Sequence, residues 1–592
     1  MDNNRSQRDI LLISGLDFTS AEGAVYQIGQ GILHRIVSTR YRSEMINFDS
    51  LHSLGILTHR ENIQETLEQM TEYMLSFSPR LVGFYTICNS FITVLELARR
   101  VHERSPETRI IFGGPHASVT ADICLKSFPF LTAVCRGESE RTFLPLVTAL
   151  LEGGDLAGIP GITYRRNGEI VENPAAPLLT DEELGQYTVF DRQPDEKGEI
   201  RDIALEGGRG CPFSCTFCST SSFWERHFRI KPVDTMIAEM DRFHELYQTV
   251  HFSIEHDNFT CRRSHIAEFC RKLIERGSPY RWRCSSRVDV LDGEIIRMMK
   301  EAGCTNIFLG VETGSPRMQK ILRKNLKLED VCTRAAEIRK ADMLTTVSLI
   351  YGLPDETTED LRQTIALAEK LYLAGAWDVE LHRFFPLPRT EETEKVKKRM
   401  YFDEKDVDLS IYNRTVIDEE GVELIRAYPE LFTQYYTFHS EPRDQFPFLE
   451  SVFLLLCTAG GRCYRTCCGL IRKYGIEELY YRQEDFFRRV YFDYSEMHAQ
   501  MGFHQMVDAL FEEFMEKMAD PVLSELFRFE MDTARFVKGS DPGPVVTTYR
   551  LDLIPALRQG IYREGETDVC MWRDSTDGKV RSQVVPREGF QL

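Results

Sequence analysis

Three cysteines stand close together in Gly207-Gly208-Arg209-Gly210-Cys211-Pro212-Phe213-Ser214-Cys215-Thr216-Phe217-Cys218. The spacing is C-x3-C-x2-C, directly after an apolar run that reads as a strand. Thiolates are the preferred ligands of iron–sulfur clusters. Three in one loop can each hold one iron of a four-iron cubane and leave the fourth iron open. An open coordination position turns an electron carrier into a catalytic centre, as it does for catalytic zinc. The competing readings are a zinc knuckle and three unrelated thiols. A zinc site draws a second pair of cysteines or histidines further on, and none follows closely.

A second group, Cys457, Cys463, Cys467 and Cys468, falls within twelve residues of the C-terminal third. Adjacent Cys467 and Cys468 cannot easily face one metal, and an apolar stretch precedes them. Partly buried helical thiols are the favoured reading over a second metal site. Most of the other cysteines, of 16 in all, are scattered singly in apolar segments, as expected of small buried hydrophobes in a reducing compartment.

The elements that must position the first loop follow from hydrophobic periodicity. Residues 1–150 alternate predicted strands (10–14, 43–48, 81–85, 109–112, 132–135) with predicted helices (21–34, 61–77, 92–103). That alternation implies an α/β, doubly wound, Rossmann-like parallel sheet, whose ligands bind beyond the carboxyl ends of the strands. Residues 151–195 read as a linker, with a hairpin turn at Arg166-Asn167-Gly168. From 196 to 388 a second βα series runs, with strands at 203–206, 249–254, 281–285, 306–311 and 346–351. Its scale suits a full or partial (β/α) barrel, with the chemistry at the strand ends. Residues 389–592 turn charged and aromatic-rich and read as mainly helical, with amphipathic helices at 476–494 and 506–518. The aromatic stretch through Tyr480, Tyr491 and Tyr494 reads as core before it reads as a substrate wall.

The cysteine loop resembles the signature of radical S-adenosylmethionine (SAM) enzymes. The resemblance implies a 4Fe-4S cluster on Cys211, Cys215 and Cys218, with SAM on the open iron and Phe217 near the adenine. Later segments extend it over most of the central block. Glu255 and Asp257 end the second strand, where the family places polar groups near the SAM amino group, although its usual Gly-Gly-Glu is absent. Arg287 follows the third strand. Glu312 ends the fourth, facing the ribose or methionyl end. Gly352 and Leu353 fall where a Gly-Leu-Pro backbone approaches the adenine.

A doubly wound domain ahead of such a core resembles the cobalamin-dependent branch of that family. The match lies at three strand ends: Thr86; Gly113, Gly114 and His116; and Gly137 and Glu138. Small residues there leave room for a corrin or its nucleotide tail. The resemblance implies cobalamin binding without a lower histidine, because the loop Gly15-Leu16-Asp17-Phe18-Thr19-Ser20 has none. His52 reads as a loop histidine and His116 as part of the tail pocket.

The activity implied is C-methylation of a peptide or small natural-product precursor, with a flavodoxin or ferredoxin as electron donor. Ring formation or rearrangement without net methyl transfer is the alternative, and a non-catalytic SAM and cobalamin sensor is a third. Lys and Arg number 72 against 91 Asp and Glu, a net charge of −19. That balance argues against nucleic acid and anionic lipid as general partners. No apolar run is long enough to span a bilayer and no signal peptide is recognisable, so a cytoplasmic location is expected.

Overall fold

The computed structural model describes residues 7–16, 27–58, 62–191, 202–404, 417–501, 503–538, 545–551, 564–573 and 580–585. Positions 17–26, which hold part of the first loop and the start of the first expected helix, lie outside that set, as do 192–201.

The N-terminal sheet contains β1 (Ile10–Ser14), β2 (Ser43–Asn47), β3 (Leu81–Tyr85), β4 (Arg109–Gly113), β5 (Leu131–Cys135), β6 (Ile162–Arg166) and β7 (Glu169–Glu172). Its order is β2-β1-β3-β4-β5-β6-β7, and the first five strands are parallel. All five residues of β1 are buried, because helices cover both faces. The order reverses between β1 and β3, which is where doubly wound sheets bind ligands. The expected linker is partly a continuation of this sheet. Strands β6 and β7 add antiparallel to its β5 edge. Asn167 and Gly168 both have positive φ, the geometry of a two-residue hairpin turn.

The central sheet runs through β8 (Asp202–Glu206), β11 (His251–Glu255), β12 (Arg281–Ser286), β13 (Cys304–Glu312), β14 (Leu344–Tyr351) and β15 (Asp378–Arg383), with a two-residue ribbon of β9 (Gly208–Arg209) and β10 (Arg229–Ile230) after its first strand. Its order is β15-β14-β13-β12-β11-β8, all parallel. The end strands β8 and β15 do not pair, so the barrel is partial. In β15 Val379, Leu381 and Arg383 are buried, while Asp378, Glu380 and His382 are partly exposed, the alternation of a strand with two unlike faces.

The C-terminal region is helical from Leu449–Tyr474 through Pro521–Lys538. The expectation of a mainly helical region needs one addition, an antiparallel sheet of β16 (Val545–Leu551), β17 (Glu564–Arg573) and β18 (Val580–Val585). The helix Leu449–Tyr474 kinks at Cys463. The buried carboxylate of Glu530 accepts the amides of Arg465 and Thr466, each at 2.9 Å, and so caps the second half. Cys463, Cys467 and Cys468 are buried in this helix, and the side chain of Cys457 lies outside the described set. The region from 389 onward is not one separate unit. Its helices share a core with the central barrel, whereas Ile425, Leu431, Phe432 and Tyr435 join the N-terminal core.

Candidate functional site

The cysteine loop leaves the barrel at the carboxyl end of β8. Gly210, one residue before the first cysteine, has φ +80°, and a Cβ there would lie 2.1 Å from the carbonyl oxygen of His227. Only glycine fits that backbone. Asp257, just past β11, then grips the loop from both sides. One oxygen accepts the Gly210 amide at 2.9 Å and the other the Thr220 hydroxyl at 3.2 Å. Thr216 donates to Glu392 at 2.6 Å. Cys211, Cys215 and Cys218 are free thiols, each partly exposed. Among the described residues no three His, Cys, Asp or Glu side chains converge on one metal ion. Cubane ligands bind separate irons and need no common point.

Two cations stand beside the loop. The Arg287 guanidinium lies 3.7 Å from the centroid of Phe213. It donates to Asp289 and to the Lys324 carbonyl, while its Nη1 is buried without a protein partner. Lys324 pairs with Glu312 at 3.0 Å, both nearly buried. Burial pushes the Cys211 and Cys215 thiols up, and Lys324 and Arg287 pull Cys215 back. Cations beside a thiol favour thiolate and balance the negative charge of a thiolate-bound cluster. The orphaned Arg287 Nη1 is a ready donor for an anionic group. The donor set thus fits a 4Fe-4S cluster with an anionic ligand beside it.

The remaining residues expected near SAM divide. Phe217 packs into a small apolar cluster that contains Leu353, so the two are brought together. Gly352 has φ +73°, and a Cβ there would lie 2.8 Å from Arg443 Cγ. The Gly352 and Leu353 amides both donate to Glu356, and Arg443 donates to the Gly352 carbonyl at 2.8 Å. Burial pushes Glu356 up to about 8. Glu312 has φ +72° at the register shift between β13 and β14, a strained position for a non-glycine residue. Two expectations change. Both oxygens of Asp257 are committed to the cysteine loop. Glu255 is exposed, bonded to Ser253, and lines a cavity on the other side.

That cavity has a volume of about 640 Å³. One wall is the carboxyl edge of β3, β4 and β5, with Gly83, Tyr85, Gly113, Gly114 and Gly137. The facing wall includes Glu206, Arg209, Glu255 and Asp257 of the barrel, with Phe223 and Trp224. A Cβ on Gly113 would meet only Cys135, at 3.7 Å, and one on Gly137 would meet nothing within 4 Å. This bare wall suits a large flat ligand such as a corrin. Thr86 and His116 are not on it. Thr86 ties the Gly113 carbonyl to the Ala117 amide. His116 is buried on the far side, stacked against Phe91 and 3.4 Å from Cys88 Sγ, and burial holds it well below the usual imidazole range, at about 3. Glu138 reaches the cavity, but Arg209, Arg229 and the Leu179 amide occupy its carboxylate. His256, also on the wall, bonds the Arg229 carbonyl and the Asn258 amide. His52 has no place on the wall.

Sequence reasoning singles out the loop and the glycines but misses Arg209, Lys324 and Glu356. Glu356 alone has a local signal, four residues after Gly352.

An open parallel barrel with this loop at the end of its first strand defines a class. Residues 205–368 match the Radical SAM superfamily, so the central block carries a domain of that family. It is 29% identical over 312 residues to an uncharacterized methyltransferase of Pyrococcus horikoshii, covering 52% of this chain and 67% of that one. It is 27% identical over 319 residues to the anaerobic magnesium-protoporphyrin IX monomethyl ester cyclase of Rubrivivax gelatinosus, covering 51% and 56%. The chain thus spans between about half and two thirds of these relatives. Among solved structures, the cobalamin-dependent S-adenosylmethionine radical enzyme OxsB with aqua-cobalamin bound superposes with a TM-score of 0.54 at 15% identity, covering 90% of this chain and 82% of that one. The fold is shared. No helix of the described residues is long and apolar enough to cross a membrane.

Proposed function

We propose that this protein is a cobalamin-dependent radical SAM methyltransferase acting at carbon on a small molecule or peptide. The observation that carries the reading is the cavity between the glycine-lined strand ends and the barrel. Its barrel wall includes Asp257, which also holds the cysteine loop. A ligand seated on Gly113 and Gly137 would lie against the domain that holds the cluster. When bound, the cluster supplies the electron that cleaves SAM, and cobalamin supplies a methyl group.

The chain's own residues hold, orient and shield. Cys211, Cys215 and Cys218 would ligate three irons. Arg287 would offer its spare N–H to an anionic group of SAM. Phe217 and Leu353 would give the adenine an apolar face, on a turn preset by Glu356 and Arg443. Gly83, Gly113, Gly114 and Gly137 would bring backbone close to the corrin, and no described imidazole on that wall is free to bind cobalt. A flavodoxin or ferredoxin would deliver the electron.

The cyclase relative favours a second reading, radical ring formation without net methyl transfer. Anaerobic reconstitution with iron, sulfide and cobalamin tests the first. About four irons and one cobalt per chain are expected. With substrate, methyl transfer yields S-adenosylhomocysteine as well as 5′-deoxyadenosine, whereas cyclisation yields only the latter. Iron without cobalt would sink the cobalamin reading.

A further inference from the structure

We propose that Arg209 is a positioning residue that fixes the distance between the cysteine loop and the glycine-lined wall of the cavity. Each guanidinium nitrogen meets a different carboxylate. Nε lies 2.7 Å from Glu206 at the end of β8, Nη1 lies 3.0 Å from Glu138, and Nη2 lies 2.7 Å from Glu140. Glu138 and Glu140 belong to the turn after β5, on the N-terminal sheet. Arg209 itself is two residues from Cys211. One planar cation therefore bridges the two domains at the mouth of the cavity.

The arrangement is dry. Side-chain exposures are 8% for Arg209, 3% for Glu138, 5% for Glu140 and 11% for Glu206. Charge is balanced locally, since Arg229 lies 2.5 Å from Glu138 and Lys231 lies 3.6 Å from Glu206. Buried ion pairs contribute little net stability against an apolar replacement, but removing one partner is costly. Their better-attested use is to specify one geometry. A planar fork with fixed donor directions specifies more than a lysine would. Gly210 adds to this, because its backbone leaves no room to relax between Arg209 and Cys211. The joint thus sets how far the cysteine loop, and any group it would hold, stands from a ligand on the Gly113 wall.

The functional part of this inference rests on the cobalamin reading, while the joint itself does not. Hydrogen exchange on the full-length apo-protein tests the joint alone. In Arg209→Gln, amides of both 136–142 and 207–211 are expected to exchange about tenfold faster or more, with β14 unchanged. The milder Glu140→Gln should loosen the same two segments to a smaller degree, and it guards against global misfolding of the first variant. Acceleration confined to 207–211 in both variants would overturn the joint. In the reconstituted holoenzyme, Arg209→Gln should keep about four irons. The spin–spin splitting between the reduced cluster and Co(II) in its electron paramagnetic resonance spectrum should broaden, and Arg209→Lys should restore it in part. An unchanged splitting in Arg209→Gln would overturn the positioning role. Parent protein that takes up iron without cobalt would mark the failure of the cobalamin reading instead, with the exchange arm still deciding the joint.

Discussion

Asp257 accepts the amide of Gly210 at 2.9 Å, so the residue just past β11 holds the residue just before the first cysteine. Its other oxygen takes Thr220, beyond the last cysteine. The loop is thus pinned at both ends by one carboxylate, and its thiols are pre-oriented before any iron arrives. Outer contacts of this kind typically change metal affinity by about 10- to 100-fold when removed. Asp257→Ala should therefore lower iron retention under a chelator by roughly that factor. Asp257→Asn keeps an acceptor for Gly210 and should fall between parent and Ala. Iron retention in Asp257→Ala equal to the parent would show that the cysteines alone order the loop.

The Gly113 position separates the two cofactors. A Cβ there has free space apart from Cys135 at 3.7 Å, and the backbone is not left-handed. A leucine can therefore be built without strain, with its side chain projecting into the cavity. Gly113→Leu is expected to leave iron content and thermal unfolding of the apo-protein near parental values. Cobalamin uptake, measured by cobalt content and the optical spectrum after gel filtration, should fall at least about tenfold, the usual result of forcing atoms into an occupied site. Undiminished cobalt would place the corrin elsewhere.

Glu356 makes stability depend on pH. Burial pushes its carboxyl up to about 8, although the Gly352 and Leu353 amides favour the anion. The unfolded chain holds that carboxyl near its ordinary value of about 4.3. Between those two values the folded state carries a proton that the unfolded state lacks. Its contribution is therefore fully present below the lower value and is lost as pH rises through the folded one. The loss is at most about 1.4 kcal/mol per pH unit. Denaturant titrations of the apo-protein at pH 5.5, 7 and 8.5 should show this decline, and Glu356→Gln should flatten it. Equal slopes in parent and variant would mean that Glu356 is ionised throughout.

Local sequence carries much of this architecture, for a physical reason. Strands β1, β3, β4 and β5 are short aliphatic runs buried on both faces, and such runs announce themselves without knowledge of their neighbours. Strand β15 escapes because four of the six residues of Asp378-Val379-Glu380-Leu381-His382-Arg383 are polar. Its alternation is the signature of a strand at the rim of an open barrel, but with only Val379 and Leu381 apolar it is too short to stand out from the sequence. In β16, Val545-Val546-Thr547-Thr548-Tyr549 holds a β-branched signal that the surrounding charge obscures. The cysteine loop is legible because all its ligands lie within eight residues. The role of Glu138 is not, since its partners Arg209 and Arg229 lie 71 and 91 residues away. His116 shows the same limit. Its place on the far side of the β4 turn is set by Phe91, which packs in turn on Phe432 from the C-terminal region, and no local pattern brings these residues together.

The two cysteine groups give the sharpest contrast, because proximity in sequence is similar and environment is opposite. Cys211, Cys215 and Cys218 sit on an irregular loop, partly exposed, with Arg287 and Lys324 nearby. Cys463, Cys467 and Cys468 lie in a helix, buried, with Cys463 Sγ 3.5 Å from Met531 Sδ. Burial raises all three helical thiols as it does Cys211 and Cys215, but the helical three, unlike the loop cysteines, are closed off from an incoming metal. Changing any one loop cysteine to alanine should therefore abolish the charge-transfer absorbance of the cluster. Changing Cys463, Cys467 and Cys468 together to serine should leave iron content unchanged, although burying three hydroxyls should lower stability by a few kcal/mol, about 1 per site. Should the serine variant instead lose about four irons while the loop variants keep theirs, the catalytic cluster would have to be moved to the helical region.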